Sequence, residues 1–330
     1  MRNIYHIFIL FVGIALASCV YEDFAGCPQD ITIAFAVSDF NAQNGMTVRA
    51  APAAPFATNV EKTINNVYVF LFEPGGATLY KKYYFDGTTT PPAGTQWVVD
   101  SPVAGQSTVK IGVTPTDAAT KDVYVVANCG SVKTALDGVT SLTGLQGVLG
   151  TTPNPWEITT PLLMEGSMLG HNFTTDNIAD VVQLKRAVAK VVLNISLDPI
   201  YQDRDPAAAD YTYRYVNFGN QTYVLTRTSV TPAANMATSA WGAAWNTYTA
   251  PTGIIGSVGA TGAKLTLQTY INEYVTGSTR PAIEIKIPIN DNIGTLPPPQ
   301  FGDGFETYPL QLPAEIKRNT LYYYDLEIAK

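Results

Sequence analysis

Two histidines, three cysteines and 14% charged residues leave little chemistry for a chain of 330 residues. His6 lies in the apolar start of the chain, so a Ser-His-Asp or Cys-His mechanism would have to run through His171. The surrounding Met168-Leu169-Gly170-His171-Asn172-Phe173 has no nucleophile-elbow context. A lone histidine in such a stretch is ordinarily structural or solvated. A histidine-rich metal site is excluded by count, and two of three cysteines cannot build the usual structural zinc site. No cofactor fingerprint is present. The 20 Lys and Arg stand against 27 Asp and Glu, for a net charge of −7, and no basic cluster stands out. That balance argues against nucleic acid as a partner. After the first residues no apolar run is long enough to span a bilayer as a helix. The expectation is a non-enzymatic protein without metal or cofactor.

The one long apolar run is at the start. Arg2 supplies a basic beginning, Ile7 to Ala17 an apolar stretch too short to cross a bilayer, and the run stops at Leu16-Ala17-Ser18-Cys19. This is the pattern of a secretory signal whose end resembles the bacterial lipobox. It predicts a signal peptide over 1–18 and a Cys19 that carries acyl chains at the new N-terminus. Each buried CH₂ contributes about 0.8 kcal/mol, so two or three chains hold a protein on a membrane where one would not. The following Glu22-Asp23 resembles the acidic tag of surface-directed lipoproteins. Cleavage would leave 312 residues at a net charge of −8, enough for two ordinary domains. With Cys19 lipidated, Cys27 and Cys129 remain as a possible disulfide or as two free thiols.

The body of the chain reads as strands. Ile31, Ile33, Phe35 and Val37 alternate on one face. Residues 38–59 lack periodicity and are rich in Ala, Pro and Asn, which predicts an exposed linker. Val67–Phe72, a Pro74-Gly75-Gly76 turn and Leu79–Phe85 form a hairpin signature. Ser107–Val113 and Lys121–Cys129 are further strands. Leu136, Val139, Leu142, Leu145 and Leu149 recur at three or four, predicting one short helix. Val182–Leu197 alternates from Ala187 onward but is interrupted by Lys185 and Arg186, as a bulge or a passage between domains would do. Tyr211–Phe218, Gln221–Arg227, Lys264–Tyr274, Ala282–Ile289 and Leu321–Ile328 follow between Gly- and Pro-rich turns. Such punctuation implies antiparallel sandwiches, with no βαβ rhythm. The expected division is 19–183 and 184–330.

Other clusters read as structure. Asp203, Asp205 and Asp210 offer hard oxygens but lack the Gly and closing Glu of a calcium loop. Gly253, Gly256, Gly259 and Gly262 are not followed by Lys-Ser/Thr as a phosphate loop requires. Trp241 and Trp245 either pack or stack on sugar, so a surface glycan-binding lipoprotein is the alternative from another class.

Taken in order, Val67–Gly76, Val123–Gly130, Leu162–Met168, Leu184–Leu197 and Ile316–Ile328 resemble the fimbrillin superfamily of anaerobe surface fimbriae. The start, with Cys19, then Glu22-Asp23, then Cys27-Pro28, is similar to the lipid-anchored fimbrial anchor proteins. The resemblance implies an all-β fold of two transthyretin-like antiparallel β-sandwich domains. It also implies a surface lipoprotein of a fimbria, held in the outer membrane through acylated Cys19. Its partners would be other fimbrial subunits and host surface ligands. In polymerising relatives a protease cuts after an arginine in the linker, the first strand leaves, and a strand of another subunit fills the groove. Here the cut would fall between Arg49 and Ala50, and the plug would be Ile31, Ile33, Phe35 and Val37. A possible donor strand is Leu321, Tyr322, Tyr324, Leu326 and Ile328. The resemblance at the start places an anchor or accessory subunit first; the alternative is a stalk or tip fimbrillin processed at Arg49-Ala50.

Overall fold

The computed structural model of the chain describes residues 30–43, 53–76, 78–99, 105–197, 212–227, 236–239, 243–244, 264–275, 280–288 and 305–328. The strands follow the β-branched and aromatic runs. In chain order the principal ones are β1 (Ile31–Val37), β2 (Asn41–Ala42), β3 (Val67–Phe72), β4 (Leu79–Phe85), β5 (Gln96–Val99) and β6 (Gln106–Ile111). They continue with β7 (Thr120–Ala127), β8 (Leu149–Thr151), β9 (Met164–Asn172), β10 (Ile178–Arg186) and β11 (Val188–Leu197). The second half contributes β12 (Thr212–Val216), β13 (Gln221–Tyr223), β14 (Lys264–Asn272), β15 (Ala282–Pro288), β16 (Phe305–Gln311) and β17 (Thr320–Ile328).

Eight strands follow one another in the order β4-β3-β7-β9-β10-β1-β6-β5. Strands β9 and β10 pair only at Lys185–Glu165 and Arg186–Met164. Beyond those rungs each keeps its own partner, β7 for β9 and β1 for β10. The row therefore folds on itself, and the inward residues of both halves share one core. Ile31, Ile33, Phe35, Val109 and Val182 there meet Val67, Val69, Val123 and Val125. The outer face of β3 and β7 is buried as well. Tyr68, Phe70, Phe72, Tyr124 and Val126 lie under Leu136, Val139, Leu145 and Val148.

The expected single helix over 136–149 is two short ones among a few one-turn segments. Helix α1 spans Pro115–Ala118, α2 Lys133–Asp137 and α3 Leu142–Gln146. The break falls where the Ser141 hydroxyl accepts from Gly144 N at 3.1 Å and caps α3. Leu149 belongs to β8 rather than to a helix, and its side chain is exposed.

At Ala187 the backbone passes from the first set of strands to the second. Strand β11 lies between β14, antiparallel, and β17, parallel. A second sheet of β12, β15 and β16 faces it across a core of Val191, Leu193, Ile195, Leu267, Ile283, Ile285 and Tyr324. The opposite face of β11, β14 and β17 carries Val188, Val192, Tyr270, Leu321 and Tyr323 onto the first core. Pairing is antiparallel except for β1 with β10, β11 with β17 and β2 with β17 among the described residues.

Candidate functional site

Strand β1 fills a slot in the middle of its sheet. It runs antiparallel to β6 from Ile31–Ile111 to Ala36–Gln106, and parallel to β10 from Thr32–Ile178 to Val37–Leu184. Ile31, Ile33 and Phe35 are buried, while Val37 is only half-buried at the end of the strand. Three such side chains contribute roughly 5–9 kcal/mol of burial. That rivals the whole stability of an ordinary domain, about 5–15 kcal/mol. Loss of β1 would also open the edges of β6 and β10. An emptied slot is thus a strong acceptor for any extended chain that restores both terms.

The chain does not leave the fold after β1. Residues 38–43 cross to the second half and end as β2 against Thr320 and Leu321 of β17. Along the way they enclose Arg186, the last residue of β10, whose side chain is completely buried. Its Nη1 donates to Ser38 O at 2.8 Å and to Asn319 Oδ1 at 2.9 Å, and its Nε donates to Glu61 O at 3.0 Å. The ring of Phe40 lies 4.2 Å from the guanidinium carbon. Burial pulls the Arg186 pKa down to about 10, which leaves it charged at neutral pH.

Asn319 serves both halves. Its Nδ2 donates to Asp39 O at 2.7 Å, its backbone carbonyl accepts from Asn41 N at 2.8 Å, and its own N–H donates to Val188 O at 2.8 Å. Its φ of 51° is a left-handed conformation that asparagine tolerates better than most residues. The Asp39 carboxylate accepts from Phe56 N at 2.9 Å and Ala57 N at 2.7 Å, fixing where the chain returns. Next to this knot, Glu61 pairs with Lys190 at 2.9 Å and accepts from the Tyr270 hydroxyl. Burial raises the Glu61 pKa, but bonds from Tyr270, Thr58 and Lys190 more than offset it and hold the carboxyl below its ordinary 4.5.

The family model described as Major fimbrial subunit protein (FimA) matches residues 31–197. The model described as Minor fimbrium tip subunit MfA4, C-terminal, matches residues 187–327. The Minor fimbrium tip subunit MfA4 of Porphyromonas gingivalis is 37% identical over 343 aligned residues, covering 97% of each chain. The chain belongs to the fimbrillin superfamily. A crystal structure of a candidate cell-adhesion protein from Bacteroides eggerthii shares the fold of this fimbrillin. Its TM-score is 0.51 at 17% identity, over 91% of this chain and 86% of that one. The two family matches overlap on 187–197, that is Ala187 and all of β11, the strand whose alternate residues face the two cores.

The residues singled out from sequence are distributed unevenly in this fimbrillin. Cys19, Cys27, Arg49, Ala50, Asp203, Asp205, Asp210, Trp241, Trp245 and the glycines at 253–262 lie outside the described residues. Cys129 is a free, buried thiol whose Sγ lies 3.2 Å from Asn66 Oδ1. Burial pushes its pKa up to about 12, so it is an unreactive thiol at neutral pH. Strand β1, which follows Cys27 in the chain, and β7, which precedes Cys129, are separated in the sheet by β9 and β10. His171 Nε2 lies 2.9 Å from Asp176 O, and the ring stands edge-on to Phe173 within the β9–β10 hairpin, a local structural role. Among the described residues no group of three or more His, Cys, Asp or Glu side chains converges as for a metal. No described helix is long and apolar enough to cross a membrane. The terminal strand β17 is built into its own sheet. Leu321, Tyr322 and Tyr324 are buried, Leu326 is half-buried, and Ile328 pairs with Leu197.

Sequence reasoning missed Phe40, Glu61 and Asn319. The available signal was Arg186, a charge inside an apolar run, which needs partners somewhere else in the chain.

Proposed function

We propose that this fimbrillin works at the tip of a minor fimbrium as an accessory, adhesion-supporting subunit that joins its neighbour by strand complementation. The single observation that carries the reading is the similarity to a minor fimbrium tip subunit along 97% of the chain. The slot geometry supports it. Strand β1 is one contiguous piece, preceded by the lipobox-like Cys19 and followed by a linker that contains Arg49-Ala50. A precursor would reach the outer membrane as a lipoprotein acylated at Cys19. Cleavage at Arg49-Ala50 would then free it from the lipid and release β1. Its partners are other fimbrial subunits and, through adhesion, host surface ligands. The role is structural, with no chemical step assigned to any side chain. Of the two subunit roles left open by the sequence, the tip reading gains from the relative and the anchor reading does not.

The N-terminus of the protein from intact cells and from sheared fimbriae tests this. Ala50 as the first residue of the fimbrial form is expected. A blocked, acylated Cys19 in every fraction, with the protein retained on the cells, would overturn the tip reading in favour of an anchor.

A further inference from the structure

Release of β1 has a consequence at Arg186. Residues 38–43 belong to the same N-terminal piece as β1, so they leave with it. Two of the groups around the buried guanidinium, Glu61 O and Asn319 Oδ1, stay behind. The other two, Ser38 O and the Phe40 ring, depart. Arg186 Nη2 has no hydrogen-bond partner among the described residues, so these supply the cation with no reserve of bonds to absorb the loss. The departure also frees Asn319 Nδ2 from Asp39 O, Asn319 O from Asn41 N, and Leu321 O from Gln43 N. Phe56 N and Ala57 N lose the Asp39 carboxylate.

We propose that this vacated seat is a second recognition element, adjacent to the groove, for an extended strand of another fimbrial subunit. The inference rests on the strand-complementation reading above. The seat defines the chemistry of its occupant. Backbone carbonyls satisfy Arg186 Nη1 and Asn319 Nδ2, and any sequence can supply them. The flat face of Arg186 asks for an aromatic ring, because Phe40, 3% exposed, is the side chain that covers it now. The two free N–H groups of Phe56 and Ala57 ask for an oxygen-bearing side chain one residue earlier, where Asp39 stands. A complementing strand therefore runs past the groove and carries an Asp-like residue followed by an aromatic. That aromatic lies five residues beyond the side chain that takes the place of Phe35. Filling the groove alone leaves a buried cation uncovered, so the seat discriminates between donors whose groove-filling residues are equivalent.

The test uses the full chain with a site-specific protease sequence placed between residues 44 and 52, cut after folding, so that natural processing is not required. Fluorescent peptides of the chain's own sequence serve as probes: Asp30–Gln43, the same peptide with Phe40→Ala, and Asp30–Val37. Exchange into the cut protein is followed by anisotropy. Asp30–Gln43 is expected to bind best, with Phe40→Ala weaker by about tenfold or more from the lost stacking and burial. Asp30–Val37 should be weaker still. In an Arg186→Met chain the advantage of the Phe40 peptide over its Ala version should shrink; if that variant does not fold, the three peptides decide alone. Equal affinity of all three would overturn the seat and leave groove-filling intact. Failure of every peptide to enter would overturn strand exchange itself, and the seat with it.

Discussion

Glu61 and Lys190 form an ion pair whose side chains are 2% and 7% exposed. Charges that deep are held only by complete hydrogen bonding, and removing one partner costs about 3–5 kcal/mol because the other stays buried and unpaired. Glu61 has the bonds it needs from Thr58, Tyr270 and Lys190, and its pKa lies below the ordinary value. A depressed carboxyl stabilises the fold above its unfolded-state pKa of 4.5, and that contribution disappears as the pH falls through the lower folded-state value. Urea titrations from pH 7 to pH 3 should therefore show stability falling below about pH 4.5. Glu61→Gln should start about 3 kcal/mol lower at pH 7 and fall less steeply. Parallel pH profiles for the two proteins would mean that Glu61 is not coupled to folding. At this scale the sequence reveals only half of each pair. Lys185-Arg186 stands out against its apolar neighbours, but its partner Asn319 is 133 residues away. Nothing local marks an asparagine as the group that will meet it.

Strands were legible where alternation or β-branched runs were unbroken. The limits of β1, β3 and β4 agree with the sequence reading to the residue, and β17 begins one residue earlier. Pattern alone did not show which sheet each strand enters, because register is set by residues far apart in sequence. Met164–Asn172 carries Gly166, Gly170 and a run of polar residues, so β9 has no clean period. Gly166 has its own reason to be there. A Cβ at that position would lie 2.5 Å from Gln183 O and 2.9 Å from Val182 Cγ1, at the point where β9 and β10 begin to separate. A backbone oxygen cannot swing aside, so Gly166→Ala should cost about 1–3 kcal/mol. Gly130→Ala, with nothing within 4 Å of its added Cβ, should change the urea midpoint very little. Equal midpoints for both variants would show that the hairpin opens at no cost. The short helices were half legible: the spacing of Leu136, Val139 and Leu145 identified the buried side, but not the cap at Ser141 that divides the stretch.

For the whole molecule, composition and the ordered set of motifs were enough to expect two β-sandwiches, and the family matches agree with the fimbrillin assignment. The contact between the halves was not visible. It is assembled from Phe40, Arg186, Asn319 and, at a second knot, Arg318 with Glu165 and Glu273, and apart from Arg186 each of these is an ordinary polar or aromatic residue when read alone. The parallel pairing of β11 with β17 was equally hidden, since parallel and antiparallel neighbours have the same alternation. That pairing fixes how the molecule bears tension. Strand β11 is entered from the first half at Val188, and β17 ends at Ile328, at opposite ends of a ladder running from Lys190–Leu321 to Leu197–Ile328. A pull applied to the first half and to Ile328 therefore shears all those rungs together. The same pull applied at Thr320 would unzip them one at a time. Single-molecule stretching should give a higher rupture force through residue 328 than through residue 320, and equal forces would mean that the ladder does not carry the load. A subunit loaded between its first half and Ile328 would then be strongest along the direction in which β11 and β17 run, and weakest when peeled from Thr320.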